Sequence, residues 1–500
     1  MTLFHQAYAQ SPYPEKPGLD EKTAAATTGI PNNSISHIAV SGDHLWIGTS
    51  KGAAVSATGG RSWVSFRGVP EFANPGIFAI ALRIDTVWTS TGYSKDVDGS
   101  SVQTGSGYTF STNSGGMWTH RNQTMDPQGD SVEQYGINTV RFVPIIVPEQ
   151  NVTFDIDLSP GTVWIASWAS GIRKSTDAGL TWQRTVLPSK AMNSIAPTDT
   201  LINYKIDPRL DNNYLGFAVF AESDKIIWAG TAGGINKSTD GGLSWVKFTT
   251  QNQASHILGN WVIAIKAQRW GQTTRIWTTN WPADSPNEQY GVSYSDDGGR
   301  IWHNLLHGIK AFDFSFRDSV AYVATTDGLY RTDNGGMSWS RSGSIVDPKN
   351  GQVVTSSVFY SVGVSADTVY GGTGDGLVRT IDTPGQPFGT AWEISRASAP
   401  LPSAGASYAY PNPFSPRFEV TRFHYAVPAG GAQVTIEVFD FGMNRLRTVI
   451  HDATRSGPGE HDEIWDGRDD KGSGVPNGVY FYRISAGGTD APWGKIMVLQ

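Results

Sequence analysis

The sequence predicts an all-β protein, a seven-bladed β-propeller followed by an Ig-like β-sandwich. Three observations predict it. A short block ending in tryptophan recurs seven times between Ser56 and Trp392. A segment with period-two alternation precedes each block. Beyond Trp392 the composition changes, and a second series of alternating segments runs to the last residue. A repeat of this size is one supersecondary unit that cannot bury its apolar face alone, so its copies must stack.

Two blocks match S-x-D-x-G-x-[S/T]-W in full: Ser175, Asp177, Gly179, Thr181, Trp182, and Ser238, Asp240, Gly242, Ser244, Trp245. Four are worn: 56–63 with Thr58 at the Asp position, 111–118 with Asn113, 295–302 with Asp297 and Trp302 but Ile301 for the hydroxyl, and 332–339 with Asn334. The seventh keeps Thr380, Asp382 and Trp392 around an insertion. Asp or Asn accepts nearby backbone N–H groups, and Gly supplies the positive φ of a tight turn. The tryptophan is a large apolar anchor. These residues are expected to hold turns and do no chemistry, because the block recurs in every unit while an active site is made once.

The segments 45–49, 87–90, 163–167, 227–231, 276–279, 321–325 and 369–373 are rich in β-branched and aromatic residues and read as strands. The first unit reads whole: strand 36–40, turn 41–43, strand 45–49, turn 51–52, strand 53–56, the block, strand 62–66. Four strands per unit and seven units specify the propeller, over about residues 30–396.

The blocks resemble the BNR, or Asp-box, repeat, and the first ~400 residues resemble Asp-box propellers as a class. Gly29-Ile30-Pro31-Asn32-Asn33-Ser34-Ile35 also looks like sensor-type propellers of bacterial two-component regulators. The resemblance implies the fold and little about function, since sialidases, xyloglucan-cleaving enzymes, sortilin-type receptors and photosystem II assembly factors all carry the repeat.

A net charge of −7 and a pI near 5.8 argue against nucleic acid and against anionic membrane surfaces as partners, and no basic patch with interleaved aromatics is read in the sequence. With no cysteine there is no disulfide, thiolate metal site or thiol nucleophile. No cofactor, metal site or transmembrane segment is expected. Residues 1–29 read as a disordered leader in which Ala7-Tyr8-Ala9 resembles the end of a truncated secretory signal.

Residues 397–407 read as an Ala/Ser/Pro-rich linker. Segments 422–427, 433–439, 445–450, 461–465, 478–485 and 495–499 then alternate like an Ig-like sandwich over 408–500. Tyr410-Pro411-Asn412-Pro413-Phe414, Val438-Phe439-Asp440-Phe441-Gly442, Trp465-Asp466-Gly467 and Asn477-Gly478-Val479-Tyr480 occur in this order. Together they resemble the C-terminal sorting domain of type IX secretion cargo, related to the Ig-like domain of the flagellar hook-capping protein. That resemblance implies export, a type IX-like machinery as partner, and a secreted or cell-surface location. Asp466, Asp469 and Asp470 are expected to form a solvated turn and not a calcium loop.

With strands A to D running outward from the axis, the blocks occupy C–D turns on one face. Insertions gather on the other: B–C insertions 91–107 and 280–291, and D–A insertions 122–136, 187–213 and 345–355. Long loops on a rigid scaffold are where binding is built. They carry the ligand-binding candidates Tyr93, Tyr135, Trp281 and Tyr290, joined by Trp168. They also carry Asp96, Asp98, Asp130, Glu133, Asp284 and Glu288, of which Asp96, Asp98, Asp284 and Glu288 are the catalytic candidates. Aromatic platforms beside carboxylates suit a glycan or peptide, and a glycosidase needs two carboxylates flanking one bond. His303 and His307 are not a helical metal motif, and the arginine triad of sialidases is missing. The leading expectation is a non-enzymatic binding or adhesion propeller; the alternative is a glycoside hydrolase on the insertion face.

Overall fold

The computed structural model describes residues 29–500 except 73, 349–351, 398–400, 402–405, 418–419, 458, 488, 491–492 and 500. The expected leader, apart from Gly29, and most of the expected linker lie outside the described residues. Regular structure is strand throughout, save two single-turn 3-10 segments at Pro70–Phe72 and Asn212–Tyr214. Among the described residues no helix is long and apolar enough to cross a membrane. The chain divides into two compact units, 1–398 and 399–500.

In the first unit seven four-strand antiparallel meanders follow one another. Their innermost strands are Ile35–Ser41, Gly76–Arg83, Thr153–Ser159, Gly216–Ala221, Ile265–Trp270, Ala311–Arg317 and Phe359–Ser365. Successive sheets pack through these strands, the fifth meeting the sixth through its second strand Thr273–Asn280, and the seventh packs on the first, so the ring closes. An innermost strand has one edge without a ladder partner, and its N–H and C=O groups need partners once buried. Side chains of the preceding sheet supply them. Asp155 accepts Val219 N at 2.9 Å, Asp157 accepts Ala221 N at 2.7 Å and Asp313 accepts Val362 N at 3.1 Å, while Lys266 donates to Phe314 O at 3.0 Å. Burial pushes the Asp155 carboxyl up to about 8 and that of Asp157 to about 6.

The recurring blocks close the C–D turns of sheets one to six with one geometry. Asp177 accepts Ser175 Oγ at 2.7 Å, Thr181 N at 2.9 Å and Thr181 Oγ1 at 2.5 Å, and its hydrogen bonds hold the carboxyl down to about 2. Asp240 and Asp297 repeat the pattern, and Asn113 and Asn334 reproduce it with an amide oxygen. Gly242 shows why the block needs glycine. Its φ is +86°, and a Cβ there would lie 2.7 Å from Trp164 of the preceding sheet. Trp182, Trp245 and Trp302 anchor the blocks beneath, Trp182 with its ring 5.0 Å from Tyr108 of the preceding sheet. Lys174 reaches forward to Gly241 O in the next block at 2.9 Å, and Lys237 to Gly298 O at 3.0 Å. Arg379 of the seventh sheet makes the corresponding bond to Gly59 O of the first.

The seventh block departs from the others. Asp382 is buried and turned toward the sixth sheet, where it meets Arg317 and Arg331 at 2.8 Å each and the Tyr322 hydroxyl. The insertion before Trp392 has converted a turn clamp into an ion cluster between sheets.

The insertions are more ordered than loops. Residues 91–107 extend two strands, Thr86–Val97 and Ser100–Ser111, into a projecting hairpin. The D–A insertions supply a small sheet of Val132–Tyr135, Asn138–Phe142 and Lys205–Ile206. Ser194–Ile195 joins the fourth sheet as a fifth strand.

The second unit is a two-sheet sandwich. One sheet holds Ser407–Tyr410, Thr421–Val427 and Gly459–Trp465; the other holds Arg445–Arg455, Ala432–Phe439 and Gly478–Ala486, with Thr489–Asp490 and Gly494–Val498 both pairing the last of these. Phe423, Val434, Ile436, Val438, Trp465, Tyr482 and Ile496 form its core. Asn412 fastens the final strand from both sides of its amide, accepting Met497 N at 2.8 Å and donating to Lys495 O at 2.7 Å. Asp469 accepts Lys471 N at 2.9 Å and Ser473 N at 2.8 Å within its own turn.

Candidate functional site

In six of the seven sheets the innermost strand skips one residue in its pairing with strand B, near its start: Ser36, Phe78, Phe154, Phe217, Phe312 and Tyr360. A skipped residue is freed from the alternation of the strand. Five of them are aromatic, and they lie at the end of the strand where the D–A connections enter, at the mouth of the axis. With Trp261 and Trp281 they form a continuous arc of rings. Centroid separations are 6.0 Å for Phe78–Phe154, 5.3 Å for Phe154–Phe217, 5.1 Å for Phe217–Trp261, 5.3 Å for Trp261–Trp281, 5.6 Å for Trp281–Phe312 and 5.6 Å for Phe312–Tyr360. Pairs at these distances contribute about 0.5–1.5 kcal/mol each beyond burial, so the arc stiffens this face.

This arc changes the roles of two expected ligand residues, and a third lies off it. Trp168 is packed 6.0 Å from Phe154 and 6.4 Å from Phe217, and Trp281 is buried with its Nε1 donating to Ala311 O at 2.8 Å. Both are parts of the wall and not open platforms. Tyr135 is elsewhere altogether: it is buried between the third and fourth sheets, its hydroxyl donating to Leu243 O in the fourth block at 2.7 Å. Tyr290 stays half-buried on the arc, 6.1 Å from Trp281. Tyr93 is 38 % exposed on the projecting hairpin, which Lys95 ties to Glu149 at 2.6 Å.

The side chains of Asp96, Asp284 and Glu288 are committed to local structure. Asp96 accepts Gly99 N at 3.0 Å and Asp98 adopts φ 53° in the same hairpin tip. Asp284 accepts Asn212 Nδ2 at 2.7 Å, drawing the fourth- and fifth-sheet insertions together. Glu288 is 7 % exposed and takes three donors: Asn260 N at 3.0 Å, Asn260 Nδ2 at 2.9 Å and Ala283 N at 2.7 Å. Asp130 sits in an exposed turn whose N–H bonds Pro127 O. Glu133 lies 4.0 Å from Arg184 beside Asp126, which bridges Arg173 at 2.7 Å and Arg184 at 2.6 Å. Burial raises the Glu133 carboxyl against the pull of Arg184.

Two contributors escaped sequence reasoning. Lys310 places its ammonium 4.0 Å from the Trp281 ring, 5.7 Å from Tyr290 and 5.9 Å from Phe312, and burial lowers its pKa. Residues 249–264, which carry Asn260 and Trp261, form a further long D–A connection. The arc itself had a readable signal, since Phe or Tyr opens five of the seven innermost strands.

No family model matches the chain, and no curated protein matches it. Among solved structures it is similar to an ancestral GH74 enzyme, at 14% identity and TM-score 0.50, with 95% of this chain and 64% of that chain covered. It is similar to YCF48 bound to D1 peptide, at 14% identity and TM-score 0.42, covering 74% of this chain and 99% of that one. It is also similar to PorZ, a surface component of the type-IX secretion system of Porphyromonas gingivalis, at 11% identity and TM-score 0.21, covering 93% and 87%. At these identities the likeness speaks to fold alone: the chain is an all-β protein of the propeller class.

Proposed function

We propose that the propeller is a non-enzymatic binding module that works outside a bacterial cell, on the face bearing the B–C and D–A connections. One observation carries the reading. Asp96 and Asp98 share one hairpin tip, Asp284 holds an inter-loop bond, and Glu288 is saturated by three N–H donors. Hydrolysis of a glycosidic bond needs two carboxylates poised about 5–9.5 Å apart with one able to donate a proton. Glu288, buried and accepting three N–H groups from Asn260 and Ala283, serves as a tie between loops and is not open to a substrate. The same face offers half-exposed rings and an ammonium group, which suit recognition of a glycan or peptide.

The test pairs glycan and peptide arrays with a reducing-end assay on the purified chain. Binding that Tyr290→Ala or Tyr93→Ala weakens, without turnover, supports the reading. Turnover abolished by Asp284→Asn or Glu288→Gln would replace it with the glycoside hydrolase alternative. Export through the C-terminal unit is part of the same proposal, supported by the sequence resemblance over the last ~90 residues to a sorting module that shares its pattern with Ig-like domains. Fusion of residues 405–500 to a passive, signal-bearing cargo should carry it to the surface of a type IX-competent host, and periplasmic retention would count against this part.

A further inference from the structure

We propose that one end of the C-terminal sandwich docks on a lipid bilayer. In its larger sheet Val434, Ile436 and Val438 and, on the neighbouring strand, Tyr480, Tyr482 and Ile484 face the core. The alternate positions face outward and would be polar on a solvated sheet. At one end they are: Gln433, Thr435 and Ser485. At the other end Phe439 pairs across strands with Phe481, and Val479 with Met497. The turn beyond Phe439 adds Phe441, 79% exposed, and Met443, 51% exposed, and Trp493 lies alongside, 46% exposed. The rings touch: Phe439–Trp493 centroids are 4.9 Å apart and Phe441–Phe481 6.2 Å.

Cations surround this apolar end. Arg483 sits 5.9 Å from the Phe439 ring and 5.6 Å from Trp493, Arg445 pairs opposite Phe439, and Lys495 opposite Phe481. Among the described residues, the nearby carboxylates of Glu437 and Asp440 are already engaged. Glu437 is shared by Arg483 at 2.8 Å and Arg445 at 3.3 Å, and Asp440 accepts Asn444 N at 2.8 Å inside the turn. With Arg483, Arg445 and Lys495 set against Glu437 and Asp440, these residues do not share the acid excess of the whole chain. This end departs from the expectation that the net charge of −7 set against anionic membranes.

Shape and composition choose the occupant. Phe441 and Met443 project from a turn tip, so the surface is a knob and not a groove, and a bilayer accepts a knob without a matching pocket. Trp and Phe beside Arg and Lys are the residues that settle at the headgroup level, rings toward the acyl chains and cations toward phosphate. Long basic side chains lie along such a surface with their charges in water.

The proposal is independent of what the propeller face binds. The full chain is sedimented with phosphatidylcholine vesicles, with and without phosphatidylglycerol, at about 0.15 M salt, where long-range charge effects are screened. Binding to both is expected, several-fold tighter with phosphatidylglycerol. Phe441→Ser with Trp493→Ser should lower binding to both by about tenfold, from the loss of two interfacial rings. Its melting temperature should stay unchanged because both side chains are exposed. Lys495→Gln should remove part of the phosphatidylglycerol gain only. Leu180→Ser, at a similarly exposed leucine of the propeller, should change nothing. No sedimentation with either vesicle would overturn the proposal and assign the knob to a protein partner. Full binding by the double variant would overturn it too.

Discussion

The side-chain oxygen of Asn33 accepts the backbone N–H of Ala397 at 2.6 Å, joining residues 364 apart in sequence. The carbonyl of the same asparagine accepts Gly376 N at 2.7 Å. The ring therefore closes with no strand shared between the first and seventh sheets. Asn33, Arg379 and a cluster of Ile30, Ile35, Leu45, Tyr370 and Leu377 hold the seam.

Asn33→Ala should lower the melting temperature of the propeller by several degrees, since a part-buried N–H left without its acceptor costs about 1 kcal/mol or more. Asn32→Ala is the control, because the Asn32 side-chain oxygen accepts Ser34 N and Ser50 Oγ on the near side of the seam. Equal effects of the two, measured by calorimetry, would show that the seam is not fastened at Asn33.

Gly242→Ala should destabilise by about 2–4 kcal/mol, from overpacking against Trp164 added to positive-φ strain. Gly271→Ala meets nothing within 4 Å at φ +54° and should cost only the strain, about 1 kcal/mol. Denaturant midpoints of the two variants separate packing from backbone conformation.

Asp240→Asn should be tolerated within about 0.5 kcal/mol and Asp240→Ala should cost about 1–2 kcal/mol. The reason is internal to the chain: Asn113 and Asn334 already close the same turn through an amide oxygen, accepting Met117 N at 2.8 Å and Ser338 N at 3.0 Å. Neither change should affect ligand binding. An Asp240→Asn variant as unstable as Asp240→Ala would mean that charge, and not hydrogen-bond geometry, stabilises the turn.

His424 in the second unit lies between Asp462 at 3.0 Å and Glu460 at 3.1 Å. Burial opposes its charge, but the two carboxylates outweigh burial and raise its pKa above the ordinary imidazole value. A raised folded pKa means full stabilisation below the unfolded value of about 6.5, lost as pH climbs through the folded value. The sandwich should thus melt progressively lower as pH rises from about 6.5 through that value. His424→Gln should flatten this dependence, and an imidazole titration below 6.5 by NMR would refute the assignment.

The repeating parts of the propeller were legible because its turn chemistry is local: Ser175 to Trp182 contains every donor and acceptor of its own turn. The face was less so. Tyr135 sits in an insertion by sequence, yet it lies in a small added sheet whose central strand Asn138–Phe142 pairs both with its own strand and with Lys205–Ile206 far along the chain. Phe78, Phe154, Phe217, Phe312 and Tyr360 recur visibly, but a skipped residue breaks the period-two pattern by which strands are read, so their convergence emerges only in three dimensions. Asp382 carried the block's spelling while its insertion redirected it to Arg317 and Arg331.

The four meander strands of each sheet are consecutive in the chain, and the two ends of the ring meet at Asn33 and Ala397. Such a ring has no privileged starting point. A short tether across that meeting place, with new termini opened at an exposed A–B turn such as Gly161, would circularly permute the propeller without severing a sheet from its neighbours, and the old seam would become one covalent joint among seven.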